Sequence, residues 1–311
     1  MLLSFALLMF GVVAAVTAPR LLARADWPER EPIVALWVWQ CVVASVLLSF
    51  ALAMTFSASA AWQRVRGQVF APAPSAVVEA YALVDHTPWS AALAVLLACG
   101  GLWTGAMLTL VVRRARARRR RRRAELLVRA PLLPGEEPEA GPLALLEGDR
   151  PGAWWLPGPT PRLVITTAAL RRLKGRQLDA VLAHEEGHAR ARHDWLLHCA
   201  AALAEGFPRV PVFAAFRDEM HRLVELAADD AASKRHGRLT TALALVGLNE
   251  DRGVFGPCPT PGAELPLRVN RLLANRPRLT PGRRLRLTAT AALVPAVPLL
   301  VALAPGLSAL R

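Results

Sequence analysis

The sequence predicts a mainly α membrane protein, with about four transmembrane helices and one α+β domain that has a small sheet. Three observations carry this reading. Of 311 residues, 54% are hydrophobic, and mean hydropathy is positive at +0.31. That is a membrane composition with room for one globular domain. Four uncharged runs, 1–18, 33–56, 89–112 and 287–310, are each about long enough to cross a bilayer. Between the third and fourth runs lies a charged stretch with paired His and acidic motifs.

Residues 1–112 read as an N-terminal membrane domain. The first run, 1–18, is barely long enough to span. Val16-Thr17-Ala18 resembles a leader cleavage site, but no Lys or Arg precedes the run, so a retained helix is expected. Arg20, Arg24 and Arg30 mark the next loop. The second run, 33–56, carries Trp37 and Trp39 near one end as interface anchors. The loop Ser57 to Pro88 holds a short amphipathic segment, Val77 to Val84. It is the sizeable loop of its side, so any external sensing would fall there.

Nine Arg fall between Arg113 and Arg123, directly after the third run. An excess of basic residues at the end of a span marks the cytoplasmic side. The chain is therefore expected in the plasma membrane, multi-pass, with Met1 outside and the domain in the cytoplasm. The Arg run should touch anionic lipid headgroups. It has no interleaved aromatic residues, which argues against nucleic acid as a partner despite the net charge of +14. Four scattered Cys exclude a disulfide scaffold and a CxxC metal site.

Residues 113–151 read as a polybasic segment and linker, punctuated by Pro and Gly from Leu132 to Pro151. Residues 152–286 form the domain. Two strands are expected, Trp154 to Leu156 and Leu163 to Thr166, with a strand edge suited to an extended peptide. Helices follow at Thr167 to Lys174, Gln177 to Arg192, Trp195 to Glu205, Arg217 to Lys234 and Thr240 to Leu248. A basic amphipathic helix, Leu265 to Asn275, has Leu267, Leu272 and Leu273 on its apolar side. Residues 287–311 close the chain as a last span, kinked or shortened by Pro295, Pro298 and Pro305.

The chemistry is concentrated in His184-Glu185-Glu186-Gly187-His188. In a helix, residues i and i+4 share a face, so both imidazoles can converge on one Zn²⁺ per chain. Glu185, one position round, is placed to take a proton from water at that ion. Such a site needs a third ligand from elsewhere. Glu225 is the candidate, with Asp229 one turn on to accept the second ring N–H of a ligand His. His193, His221 and His236 are candidates for supporting or transition-state roles. The sole Tyr, Tyr81, falls in the loop on the other side of the membrane.

These motifs, with Arg192-His193-Asp194 and the E-x-x-A-D-x-x-A pattern of Glu225 to Ala232, resemble the gluzincin membrane metallopeptidases of families M48 and M56. The resemblance covers roughly Gly152 to Leu248. It implies a zincin-like metallopeptidase domain in which His184, His188 and Glu225 bind zinc, Glu185 is the catalytic base and Asp229 orients a ligand. It implies endoproteolysis of a protein or peptide substrate at the cytoplasmic membrane face. The layout of spans resembles M56 signalling proteases more than M48 quality-control proteases. The external sensor domain of the M56 antibiotic sensors has no counterpart in the sequence, so β-lactam sensing is not implied. A non-catalytic adaptor that retains the fold is the competing reading. Oligomeric state is not legible.

Overall fold

The computed structural model describes residues 2–66, 88–129, 143–149, 151–156, 162–249, 264–274 and 277–309. The expected segment Val77 to Val84, Tyr81 and most of the linker Leu132 to Pro151 lie outside the described residues. So does the Pro-Gly-Pro turn after Leu156.

Long apolar helices open the chain. They are α1 (Leu2–Ala23) and α3 (Pro32–Arg66), joined by the single turn α2 (Trp27–Arg30). Both α1 and α3 contain a stretch long and apolar enough to cross a membrane. Helix α4 (Pro88–Arg129) joins the third apolar run and the arginine run in one 42-residue helix, with no break at residue 112. Arg is a good helix former, and no Gly or Pro occurs after Gly105 to stop the helix.

At the C-terminus, the expected single span is two helices, α11 (Pro281–Leu293) and α12 (Ala296–Ala309). They bend by 45° at a short break and together pass the same length and composition test. Pro295 lies in that break, where its missing N–H and its ring interrupt helical bonding. Among the described residues, two helices can therefore cross a membrane, or three with the bent pair counted as one.

The sheet has three strands where two were expected. Strands β1 (Leu143–Leu146), β2 (Ala153–Leu156) and β3 (Arg162–Thr166) take the order β1-β3-β2. Strand β1 falls inside the stretch read as linker. It is short, and the Pro and Gly around it hide the strand pattern. β1 runs parallel to β3 and β2 antiparallel, with Trp155 opposite Leu163. β2 is thus an edge strand, and it packs beside the helix Arg176–Arg190.

The domain helices are α5 (Thr167–Arg172), α6 (Arg176–Arg190), α7 (His193–Gly206), α8 (Pro211–His236), α9 (Arg238–Asn249) and α10 (Glu264–Leu273). Thr166 caps α5, its hydroxyl accepting from the Ala169 N–H at 3.2 Å. Helix α5 ends at Arg172, two residues earlier than expected. Gly175 instead precedes α6, at φ +51°, a value glycine reaches without strain.

Among the described residues, three apolar clusters hold the molecule, the smallest joining Ala242 and Leu245 of α9 to Leu272 of α10. One packs Ala153, Ile165, Leu173, Val181 and Leu248 between the sheet and α5, α6 and α9. The largest has an unexpected composition. It joins Leu36, Trp39, Val42, Val43 and Val46 of α3 with Leu203 of α7 and Val212, Phe213, Phe216, Met220 and Leu223 of α8. The apolar N-terminal helices and the domain thus share one core.

Candidate metal centre

Helices α6 and α8 pack against each other and come close at Gly187. A Cβ there would meet the Ala231 Cβ at 3.2 Å and the Ala228 Cα at 3.5 Å. Glycine at this position lets the two helices come close enough for their side chains to reach a common point.

Three donors meet at that point. His184 Nε2 lies 3.1 Å from His188 Nε2 and 3.6 Å from the Glu225 carboxylate, and His188 Nε2 lies 3.4 Å from that carboxylate. A tetrahedral zinc with bonds of about 2.0–2.1 Å needs donors about 3.3–3.4 Å apart. The three separations fit that size, and His184, His188 and Glu225 form a group able to hold a metal ion.

Each His ligand is steadied from behind. His184 Nδ1 stands 3.0 Å from Asp229 Oδ1, a contact that sets the ring with Nε2 toward the ligand point. His188 Nδ1 stands 3.0 Å from His193 Nδ1. His193 reaches that place because Arg192 takes a left-handed conformation (φ 52°, ψ 39°) between α6 and α7. The turn folds the start of α7 back against His188, and His193 becomes buried.

Glu185 is also buried, and its Oε2 accepts a hydrogen bond from the Trp155 N–H at 3.1 Å. The edge strand β2 therefore aims a backbone donor at this carboxylate. Burial pushes the Glu185 carboxyl up to about 7, against the opposing pull of His184.

The residue that sequence reasoning missed is Arg268, on α10. Its Nη1 lies 2.8 Å from Glu225 Oε2, and its Nε and Nη2 donate to the two Asp229 oxygens at 2.8 and 2.7 Å. The guanidinium is buried and ties Glu225 and Asp229 together. This overturns the expected face of α10. The buried side carries Leu265, Arg268, Val269 and Leu272, while Leu267 and Leu273 are exposed. An apolar count favours the leucines; the two buried carboxylates outweigh it by drawing the Arg inward. The available signal was an Arg placed at i+3 from Leu265 and i−4 from Leu272, on their stripe.

Two candidates are not brought to this point. His221 is half-buried one turn before Glu225, its pKa lowered by burial and then by Arg217. His236 ends α8, about 17 Å along the axis from Glu225 at 1.5 Å per residue.

The charge balance favours a cation. Glu185, Glu225 and Asp229 are buried beside Arg268. Burial works against a charge on His184, yet the hydrogen bonds and charges of Asp229 and Glu225 raise it to about 10. The same carboxylates would favour a divalent ion at the ligand point. Burial also resists charge on Glu225, but Arg268 first, then His188 and His184, hold it well below the carboxylate range. His188 is pushed down to about 3, chiefly by burial, which keeps its ring neutral as a ligand must be.

The model of Peptidase family M48 matches residues 114–218, about a third of the chain. The match spans the arginine run, the sheet, His184-Glu185-x-x-His188 and His193, and ends before Glu225. It supports the M48 peptidase family, whose members are metallopeptidases, and joined to apolar N-terminal helices it points to a membrane metallopeptidase. The curated proteins and the solved structures yield no match to the chain.

Proposed function

We propose that the protein is an integral membrane zinc endopeptidase that hydrolyses peptide bonds of a protein substrate at the cytoplasmic face. The observation that carries the reading is the convergence of His184, His188 and Glu225 at metal-ligand spacing, with Glu185 buried beside them. His184, His188 and Glu225 would hold zinc, which supplies a Lewis acid for the peptide carbonyl and acidifies water. Glu185 takes the proton of the attacking water and passes it to the leaving amide nitrogen, so that one water is consumed and two chain ends are formed. The Trp155 N–H fixes the carboxylate that moves this proton. Asp229 and His193 fix the rings of His184 and His188, and Arg268 keeps Glu225 and Asp229 ionised. The basic run Arg113 to Arg123 supports a cytoplasmic position for the centre, with that run against anionic headgroups.

The role is regulated proteolysis of the M56-like kind. M48-like quality control of membrane proteins is the second reading, favoured by the match over 114–218. The test is Glu185→Gln beside the wild type, full-length and in detergent, with metal content and cleavage of an unfolded protein measured together. Zinc near one per chain in both, with cleavage about 10²–10⁴-fold lower in the variant, is the expected result. Full cleavage by Glu185→Gln overturns the assignment. Folded wild type without zinc turns the reading toward an adaptor.

A further inference from the structure

We propose that the cleft between α2, the end of α8 and α10 is a binding site for a phosphate group. It lies apart from the metal centre and goes beyond the metallopeptidase reading, on which it does not depend.

Distant parts of the chain build the cleft. Helix α2 supplies Glu29 and Arg30, α8 supplies Asp230, and α9 begins with Arg238. Arg271 comes from α10 and Arg278 from the segment after it. Four guanidinium groups (Arg30, Arg238, Arg271, Arg278) thus line the cleft with two carboxylates (Glu29, Asp230), an excess of two positive charges. Nearby acids do not cancel that excess. The Glu29 carboxylate also stands 3.5 Å from Arg222, outside the cleft, and Glu31 stands 3.5 Å from Arg284. Like charges gathered in a cleft with protein walls focus their field on whatever enters.

The arginines are held in place with donors left over. Arg271 Nη2 donates to Asp230 Oδ1 at 2.8 Å, and its Nε donates to the Glu29 carbonyl at 2.7 Å. Arg278 Nη2 donates to Asp230 Oδ2 at 3.1 Å. A guanidinium carries five N–H donors, so both side chains keep some after these bonds. Arg30 lacks even one such bond at its Nε, which is buried and has no acceptor among the described residues. A buried donor left unmatched is costly, and an acceptor in the cleft would remove that cost.

Phosphate fits these demands. Its tetrahedral oxygens accept from guanidinium groups on several sides, and it carries up to two negative charges. A carboxylate offers one charge and one plane. A metal cation would be repelled. The group has two possible sources. Helix α2 lies between Leu3–Ala23 and Pro32–Ser57, the two stretches long and apolar enough to cross a membrane. That connection puts Glu29 and Arg30 at headgroup level, within reach of a lipid phosphate and of a phosphate dissolved in water.

The test is equilibrium dialysis of radiolabelled inorganic phosphate against full-length protein in detergent, at constant ionic strength. Wild type should bind about one phosphate per chain, saturably. Arg278→Gln and Arg30→Gln should each weaken binding about tenfold or more, as loss of a charge-assisted hydrogen bond does. Arg278→Gln leaves Arg271 on Asp230, and a melt of each variant without phosphate checks that it folds. No saturable binding overturns the proposal. So does binding that survives both changes, because phosphate would then sit at the metal centre or along Arg113 to Arg123. Acetate competing as well as phosphate would make this a carboxylate site and overturns it too. Liposomes then separate the sources. Phosphatidylcholine vesicles carrying phosphatidic acid are compared with vesicles given the same charge by oleate. Bound phosphate displaced by phosphatidic acid alone supports the site with a lipid headgroup as its occupant. Phosphate retained in both supports it with a soluble phosphate as occupant.

Discussion

Helix α8 has two stretches whose buried faces are held by opposite means. Between Val212 and Val224 it sets an apolar face of Val212, Phe213, Phe216, Met220, Leu223 and Val224 against α3 and α7. From Glu225 to Asp230 it is a row of buried side chains that includes three carboxylates, answered by His184, His188, Arg268, Arg271 and Arg278. The first half asks for volume, because apolar contacts are non-directional. The second asks for particular partners, because a buried charge without one is costly. One helix thus joins a membrane-facing core to a charged centre, and each half should fail differently.

The largest difference should come from removing the shared cation. Arg268→Met leaves Glu225 and Asp229 buried without a guanidinium, and should lower stability by about 3–5 kcal/mol in a melt of the detergent-solubilised protein. A melt unchanged from wild type would mean that α10 does not brace the centre. Next, in the apolar half, Met220→Ala should cost about 2–5 kcal/mol. Met220→Leu, which keeps volume and lacks partners to lose, should cost under about 1.5 kcal/mol. If the isosteric change is as damaging as the truncation, the two halves are not held by different means.

A smaller effect is expected where a ligand is only steadied. His193→Ala should weaken zinc binding about 10–100-fold in a competition titration, with the fold retained. Smallest of all, Arg118→Ala breaks an ion pair whose side chains are 58% and 50% exposed, and should change stability by less than about 1 kcal/mol. A larger loss there would show that α4 holds α7 by more than a screened surface contact.

Legibility in the sequence follows the same division. His184, Glu185, His188, Glu225 and Asp229 could be singled out because two i, i+4 pairs carry their geometry in the spacing alone. The kink at Pro295 was legible too, because proline acts locally. Arg268 was not legible. Its burial depends on carboxylates far off in the chain, and beside Leu267 and Leu273 it reads as the solvated face of a basic helix. Strand β1 was missed because a four-residue strand shows its identity through pairing with β3, which is non-local. The unbroken α4 was missed for a different reason. An arginine run reads as a membrane boundary, and a boundary in charge need not be a boundary in backbone.

Arg268 also sets an order of events during synthesis. The ribosome delivers His184 and His188 first, then Glu225 and Asp229, and the guanidinium that neutralises them last. Until that stretch of chain emerges, the two carboxylates have no reason to leave water. A nascent or truncated polypeptide lacking α10 is therefore expected to stay open and inert at this centre until that helix is made.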